Sequence, residues 1–245
     1  MNKTLKLVFL LLMVTAPTLY ASEAKPTGYA ETDLFSKYVW RGQGLSDGVV
    51  VQPSVGVEYK NFGFNVWINY DIDEQQHNET DVAINYVYAA DQLEVDLGYI
   101  QYVVHKPEMF ETGEAYLSLS YDTVLNPSLA IYYDLDEGDG AFIETNLGHS
   151  VELSGISSFN IAGTLSYNAK NNVMGTNAEG IGFSDFYHAE IAVSFSLMVS
   201  DDLIVEPMIA YTFSLSDKSE EAIKDASSNS ASNTLYGGVN LSLNF

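Results

Sequence analysis

Arg41 is the only arginine in a chain of 245 residues that carries 33 acidic and 10 basic side chains. It closely follows Tyr38 and Trp40 in the stretch FSKYVWRGQGLSDG, residues 35–48. A guanidinium group presents a planar fork of N–H donors, which can bind a carboxylate through two parallel hydrogen bonds. In so acidic a protein, Arg41 is therefore expected to pair with one or two carboxylates.

Two acidic stretches have the composition of cation-binding loops. Residues 134–140, DLDEGDG, carry carboxylates at positions 134, 136 and 139 and resemble the start of a calcium loop. The ligand expected at the twelfth position is absent, because that residue is Thr145. Residues 71–81, DIDEQQHNETD, form the second acidic stretch. Solvated loops are the simpler interpretation, and no metal site within the protein is predicted.

The histidines form no catalytic constellation in the sequence. His149 would need a nucleophile on its own face of a strand, whereas Ser150 has the opposite parity. His188 and Glu190 share one face, but two side chains do not complete a metal site. We therefore predict that the chain is not an enzyme and needs no cofactor.

Charge and composition exclude several classes of protein. The formal net charge of −23 gives no basic surface with which to bind nucleic acid. The chain has no cysteine, so its fold does not depend on disulfides. Residues 1–21 contain two lysines, an apolar run over 7–14 and a small residue at position 21, a pattern typical of a cleaved signal peptide. Residues 22–245 are then one exported domain.

The elements that position these side chains alternate between apolar and polar residues with a period of two. Residues 62–71, FGFNVWINYD, put Phe62 and Tyr70 on one face and Asn69 and Asp71 on the other. Twelve such segments are predicted, most of them long enough for a tilted strand to cross a bilayer. They span residues 28–41, 49–60, 62–71, 80–90, 93–103, 113–121, 127–135, 141–152, 159–168, 186–197, 203–214 and 233–245.

Short connections alternate with longer polar ones along the chain. This alternation, with an even number of strands, indicates an all-β fold: a transmembrane antiparallel up-and-down β-barrel of about 12 strands with both termini in the periplasm. The final Phe245 fits, since outer-membrane barrels commonly end on an aromatic residue. A secreted β-sandwich is the alternative, but its strands average about 5–6 residues. Pro53 and Pro207 each predict a bulge or a broken ladder bond.

The charges of the first segment share one parity, which includes Lys37 and Arg41. Either residue near the midplane of the lipid face would cost roughly 2–4 kcal/mol. We therefore expect this face to line the lumen, with Tyr38 and Trp40 facing lipid near an interface. In the tenth segment the same alternation puts Tyr187 outside. The residues predicted to line the lumen or a constriction are Arg41, Lys37, Asp71, Asp81, Glu114, Asp134, Glu144 and Glu190.

The stretch SKYVWRGQGLSDG, followed by VQPSVGVEYKNFGFNVWINYD, resembles the TorF-type porin family of exported proteobacterial proteins. The matching positions are Ser36, Tyr38, Arg41, Gly42, Ser46 and Asp47. The resemblance is strongest over residues 28–71 and implies an outer-membrane barrel with a porin function. It does not indicate a substrate.

The expected function is a narrow channel in the bacterial outer membrane. Twelve strands about 4.8 Å apart and tilted about 40° enclose a backbone diameter of roughly 24 Å, much of which inward side chains fill. Rings of carboxylates favour cations, so small polar solutes, cationic or neutral, are expected to diffuse through, with Arg41 either tuning permeation or bracing the wall. The other predicted partners are lipids and lipopolysaccharide, whose phosphates divalent cations could bridge to the acidic loops.

The competing hypothesis is a structural or surface-interaction barrel with a filled lumen. Its extracellular loops 169–185 and 215–232 would bind a partner. Residues 215–232, LSDKSEEAIKDASSNSAS, have the composition of a mobile loop, which either folds into the mouth of the barrel or remains disordered.

Overall fold

Residues 25–105, 111–177 and 179–245 are described by a computed structural model. The predicted signal peptide, residues 1–21, lies outside them. The strands, in chain order, are β1 (Thr27–Phe35), β2 (Tyr38–Trp40), β3 (Gln43–Ser46), β4 (Val50–Tyr59), β5 (Phe62–Asp71), β6 (Gln76–Ala90), β7 (Leu93–Val104), β8 (Thr112–Tyr121), β9 (Ser128–Asp134), β10 (Ala141–Ser154), β11 (Ser157–Ala169), β12 (Ser184–Met198), β13 (Leu203–Ser214) and β14 (Asn233–Asn244). A 3₁₀ turn (Asn172–Met174) precedes β12, and α1 (Asp217–Ala226) precedes β14.

Twelve of these strands close into one antiparallel barrel. The order around the wall is β1, β14 and then backwards through the chain to β4, which pairs again with β1. Closure gives every wall strand a paired neighbour on both sides, so the wall has no free edge to expose to lipid. The predicted transmembrane up-and-down barrel is confirmed. Within the described residues, no helix is long and apolar enough to cross a membrane.

The two faces of the wall have opposite character, as the alternation predicts. On β5 the outward ring of Phe62 is 65% exposed, whereas inward Asn69 and Asp71 are 0% and 2% exposed. Outward Leu34 of β1 is 49% exposed. Apolar side chains therefore form the outer surface and polar side chains fill the interior, which is the distribution that lipid outside the barrel requires.

The two ends of the barrel differ in their connections. One end, called the terminal end, carries short turns and the meeting of β1 with the last residues, where Gly28 N donates to Phe245 O at 2.7 Å. The opposite end, called the loop end, carries the segments 36–49, 170–183 and 215–232, which are longer. The location of the termini in the periplasm stays a prediction.

The prolines interrupt the ladder without changing its register. Residues 52–53 of β4 skip their pairing with β5, and residues 206–207 of β13 skip theirs with β12. On the other side Pro53 stays opposite Thr32, and Pro207 stays opposite Val239. A missing N–H donor thus breaks the ladder locally, as expected.

The prediction of the first strand is wrong for residues 36–41. The sequence predicts one strand over 28–41, but β1 ends at Phe35 and the chain then forms the separate hairpin β2–β3. Arg41 and Gly42 make the hairpin turn with φ values of 49° and 82°. A left-handed pair of this kind favours glycine at one position. An added Cβ at Gly42 would also lie 2.9 Å from the Cβ of His188, so the turn packs directly on the wall.

A bulge changes which side chains of β12 reach the interior. The register between β11 and β12 shifts between Leu165 and Tyr167. As a result the consecutive residues Tyr187 and His188 are both buried. The prediction that Tyr187 faces outward is wrong, because strict alternation does not survive a bulge.

Several segments at the loop end pack on the wall as a plug, defined as hairpin residues 36–48, the 3₁₀ turn and α1. Met174 and Ile223 from the plug are fully buried against Phe142 and Tyr187 of the wall. The sequence left open whether residues 215–232 fold into the mouth of the barrel or remain disordered, and residues 217–226 form a helix at the loop end. Their helix begins with a capping box in which the Ser216 and Ser219 side chains each bond the other's backbone N–H.

Candidate functional site

Arg41 lies inside the barrel and forms an ion pair with Glu114 of β8. Its Nη1 donates to Glu114 Oε1 at 2.7 Å and its Nη2 donates to Oε2 at 2.8 Å. The side chains are 5% and 1% exposed. The hydroxyl of Tyr102 donates to the same Oε2 at 2.8 Å. Both carboxylate oxygens of Glu114 therefore accept hydrogen bonds. Arg41 forms the predicted bidentate pair, and it does so with this one carboxylate.

Aromatic rings surround the guanidinium on several sides. Its Cζ lies 4.6 Å from the ring centre of Trp40, 4.6 Å from that of Tyr132 and 4.5 Å from that of Phe142. Cation–π attraction grows when the cation is removed from water. Burial opposes the charge on Arg41, but the adjacent carboxylate outweighs burial and raises the pKa of the guanidinium above its ordinary value. Arg41 stays charged and holds the hairpin turn against β8, β9 and β10.

The expectation that Tyr38 and Trp40 face lipid is wrong. Tyr38 is buried and its ring centre lies 5.6 Å from that of Trp67, an inward residue of β5. Trp40 packs edge-on against Tyr102 at 5.7 Å. The parity argument assumed that the wall strand continues to Arg41. The chain instead turns inward after Phe35, and both sides of the hairpin then lie within the barrel.

Further contacts anchor the hairpin at both of its strands. Gln43 Nε2 donates to the hydroxyl of Tyr187 at 2.8 Å, and Ser46 Oγ donates to Asp71. The backbone N–H of Gly44 donates to Ser227 Oγ, just after α1, at 3.0 Å. Lys37 forms a salt bridge with Asp47 within the hairpin segment itself. The hairpin is thus joined to the wall and to the helix of the plug.

The carboxylates predicted to line a constriction divide into two groups rather than one ring. Asp71, Glu114 and Asp134 are nearly inaccessible and hold hairpin or loop segments in place. Asp134 Oδ1 accepts from Thr112 Oγ1 at 2.7 Å and from two backbone N–H groups of its own loop. Glu190 accepts from the hydroxyl of Tyr236 at 2.9 Å.

Asp81 and Glu144 remain, and both line a cavity of 450 Å³ beside the hairpin. Trp40, Trp67 and Tyr132 contribute aromatic surface to it. Asp81 Oδ1 is buried and has no hydrogen-bond partner. The complete lining is Val39, Trp40, Arg41, Asn65, Trp67, Asp81, Ala83, Ile100, Tyr102, Tyr132 and Glu144.

His149 and His188 make local contacts and do not gather with carboxylates into a metal site within the part of the chain that the structure describes. No group of three or more histidine, cysteine, aspartate or glutamate side chains is placed to hold a metal ion there. His149 Nδ1 lies 2.7 Å from the backbone carbonyl oxygen of Val124, so this ring nitrogen donates a hydrogen bond to it. His188 Nδ1 lies 2.6 Å from Ser166 Oγ in a buried contact.

Tyr102 and Tyr187 also belong to this site, although neither is among the residues predicted from the sequence to line the lumen. Tyr102 has the lumen parity of β7, so its position was predictable, but nothing in the sequence distinguishes it from other inward tyrosines. The inward position of Tyr187 was not predictable from alternation, because it results from the bulge between β11 and β12. Its contact with Gln43 depends on the inward hairpin, which a strand-by-strand interpretation does not contain.

The chain is similar in fold to outer-membrane porins of known structure. NanC porin superposes with a TM-score of 0.51 at 14% identity, covering 88% of this chain and 98% of the other. KdgM porin superposes with a TM-score of 0.55 at 12% identity, covering 90% and 99%. KdgM porin in complex with disordered oligogalacturonate superposes with a TM-score of 0.53 at 12% identity, covering 90% of this chain and 99% of the other. Neither a protein-family model nor a curated protein sequence matches the chain. The closed barrel belongs in the bacterial outer membrane, and the TorF-type resemblance stays a prediction.

Proposed function

We propose that the chain is a porin-like channel through which small polar solutes diffuse across the outer membrane. The observation that carries the proposal is the closed twelve-stranded wall with an apolar outside and a polar inside. The similarity in fold to NanC and KdgM porins supports it. The short turns of the terminal end face the periplasm, and the plug at the loop end restricts passage from outside.

Cation preference follows from the balance of charge in the lumen. Arg41 is paired with Glu114, so the two together contribute no net charge to the path. Asp81, Glu144 and Glu190 are not compensated in this way, and Asp96 adds a further carboxylate towards the terminal end. Carboxylates that line a narrow path attract cations and repel anions. The solutes are therefore cationic or neutral.

The membrane partners of the proposed channel are lipid at the wall and lipopolysaccharide at the loop end. The acidic segments 71–81 and 134–140 both reach that end. Divalent cations between their carboxylates and lipopolysaccharide phosphates would reduce the repulsion between the two negative surfaces. The residues that resemble the TorF-type motif, from Ser36 to Asp47, lie in the inward hairpin segment. Their position inside the barrel is compatible with a channel function.

A closed barrel with a partner-binding loop end is the second candidate. The observation in its favour is the plug, whose Met174 and Ile223 are fully buried. A lumen closed this tightly would pass nothing until the plug moved. The loops 169–185 and 215–232 would then bind a partner, as the competing hypothesis from the sequence states.

Current through planar bilayers distinguishes the two functions. Purified folded protein in a KCl gradient is expected to give small, discrete conductance steps whose reversal potential has the sign of a cation-selective pore. The matched control is protein unfolded by heat before addition, which should give no steps. Absence of current from protein whose fold is verified by gel mobility would favour the closed barrel, and an anion-selective sign would refute the selectivity.

A further inference from the structure

We propose that the cavity lined by Trp40, Trp67, Asp81 and Glu144 is a binding site for a small organic cation with an apolar or aromatic body. This proposal deepens the channel function by naming the class of solute that the lumen recognises. It rests on three independent properties of the cavity: its volume, its aromatic surface and its carboxylates.

Volume and aromatic surface fit a small organic molecule. The cavity holds 450 Å³, within the range of about 300–1,000 Å³ that is usual for ligand sites. Rings from the hairpin and from three different wall strands meet there, namely Trp40, Trp67, Tyr102 and Tyr132. Aromatic rings attract a cation placed over their faces, and they also pack against an apolar body.

The charge of the cavity selects a positive ligand. The one cation in its lining, Arg41, is already bound to both oxygens of Glu114. Asp81 and Glu144 also line the cavity and form no ion pair within the described residues, although Arg41 attracts Glu144 at longer range. The buried Oδ1 of Asp81 accepts no hydrogen bond from the protein. A positive ligand in the cavity would supply these two carboxylates with a counter-charge of their own.

An ammonium or guanidinium compound fits this lining better than a metal ion. Within the described residues, no three ligating side chains are grouped closely enough to hold a metal. The polar lining is instead mixed with indole and phenol rings, which offer nothing to a hard inorganic cation. A larger cavity of 640 Å³ lies between α1 and residues 172–177 and 183–184, but its lining includes Lys218 as well as Glu221 and Asp225.

Intrinsic fluorescence reports directly on this cavity. The chain contains two tryptophans, Trp40 and Trp67, and both line it. Three probes of closely similar size separate charge from shape: phenethylammonium, 2-phenylethanol and 3-phenylpropionate. Titration of the folded full-length barrel in detergent is expected to give a saturable change in emission with phenethylammonium. The neutral and anionic probes should bind at least about tenfold more weakly.

Asp81→Asn is the decisive variant, because it keeps the size of the side chain and removes its charge. It is expected to weaken phenethylammonium binding by about tenfold or more, since hydrogen bonds to charged groups are the stronger kind, and to leave 2-phenylethanol binding unchanged. Asp96→Asn is the matched control: Asp96 also lies in the lumen, but it bonds Asn85 and Tyr116 outside the cavity lining. The control should keep the wild-type affinity within about twofold.

The outcomes separate this proposal from the channel function. Ammonium-selective binding that Asp81→Asn alone weakens supports the site, whether or not the barrel conducts. Equal binding of the neutral probe, an equal response to CaCl₂ alone, or an unchanged affinity in a folded Asp81→Asn variant overturns it. Current in bilayers together with no saturable binding would leave the channel standing and remove the binding site.

Discussion

Replacing Arg41 with alanine is expected to lower the free energy of unfolding by about 3–5 kcal/mol. The physical reason is the carboxylate left behind. Glu114 is 1% exposed and would keep only the hydroxyl of Tyr102 as a donor, so a buried charge would lose its counter-ion. The loss is measured by urea-induced unfolding followed by tryptophan fluorescence, since Trp40 lies against the guanidinium. The unheated band on a gel should also convert at a lower temperature.

The control for this variant is Lys37→Ala. Lys37 belongs to the same hairpin segment, but its partner Asp47 is half exposed, so the pair contributes only about 0–1 kcal/mol. The double variant Arg41→Met with Glu114→Gln should recover much of the loss, because no uncompensated charge remains. A change below about 1 kcal/mol for Arg41→Ala would contradict the bracing role. The sequence left both roles of Arg41 open, and its burial supports the brace.

Replacing Ile223 with aspartate is expected to release α1 from the loop end. Ile223 is fully buried among Phe142, Met174 and Tyr187, so the change removes apolar packing worth roughly 2–5 kcal/mol and inserts a charge without a partner. The wall does not depend on this contact, because its strands pair with one another all around the barrel. We therefore expect a folded barrel with an undocked helix, a higher conductance and protease cleavage within residues 215–232.

Ile181→Asp is the matched control for the helix variant. Ile181 lies at the same end of the barrel but is 57% exposed, so an aspartate there meets water rather than the core. Its conductance and its protease pattern should equal those of the wild type. Unchanged conductance in Ile223→Asp, despite cleavage in 215–232, would show that α1 does not restrict the path.

The wall of the barrel was predictable because lipid imposes one simple rule on every strand. Segments 62–71 and 203–214 have in the structure the bounds that the alternation predicted. The lumen parity of Asp81, Glu114 and Glu144 was equally predictable, since a charged group on the lipid face is costly. Local alternation determines these features, and it can be recognised in a single segment.

The interior was not predictable from the same rule. Lipid places no constraint on a hairpin that turns inward. The alternation of residues 36–41 therefore led to the wrong prediction that Tyr38 and Trp40 face lipid. The pair Arg41–Gly42 was the available signal, since glycine there marks a turn with positive φ. The helix also had a signal: serines three residues apart at 216 and 219, with Asp217 and Glu220 in the first turn. The composition of residues 215–232 left both a folded and a disordered segment open, and this capping signal favours the folded one.

Quenching of tryptophan emission by lipids brominated on their acyl chains tests the inward hairpin most directly. Both tryptophans, Trp40 and Trp67, lie inside the wall and are separated from the acyl chains by a layer of strands. Barrels folded into brominated bilayers are therefore expected to keep the emission intensity that they have in ordinary bilayers. Strong quenching in the wild type, abolished when Trp40 is replaced by phenylalanine, would place the hairpin against lipid and contradict the plug, the brace and the cavity together.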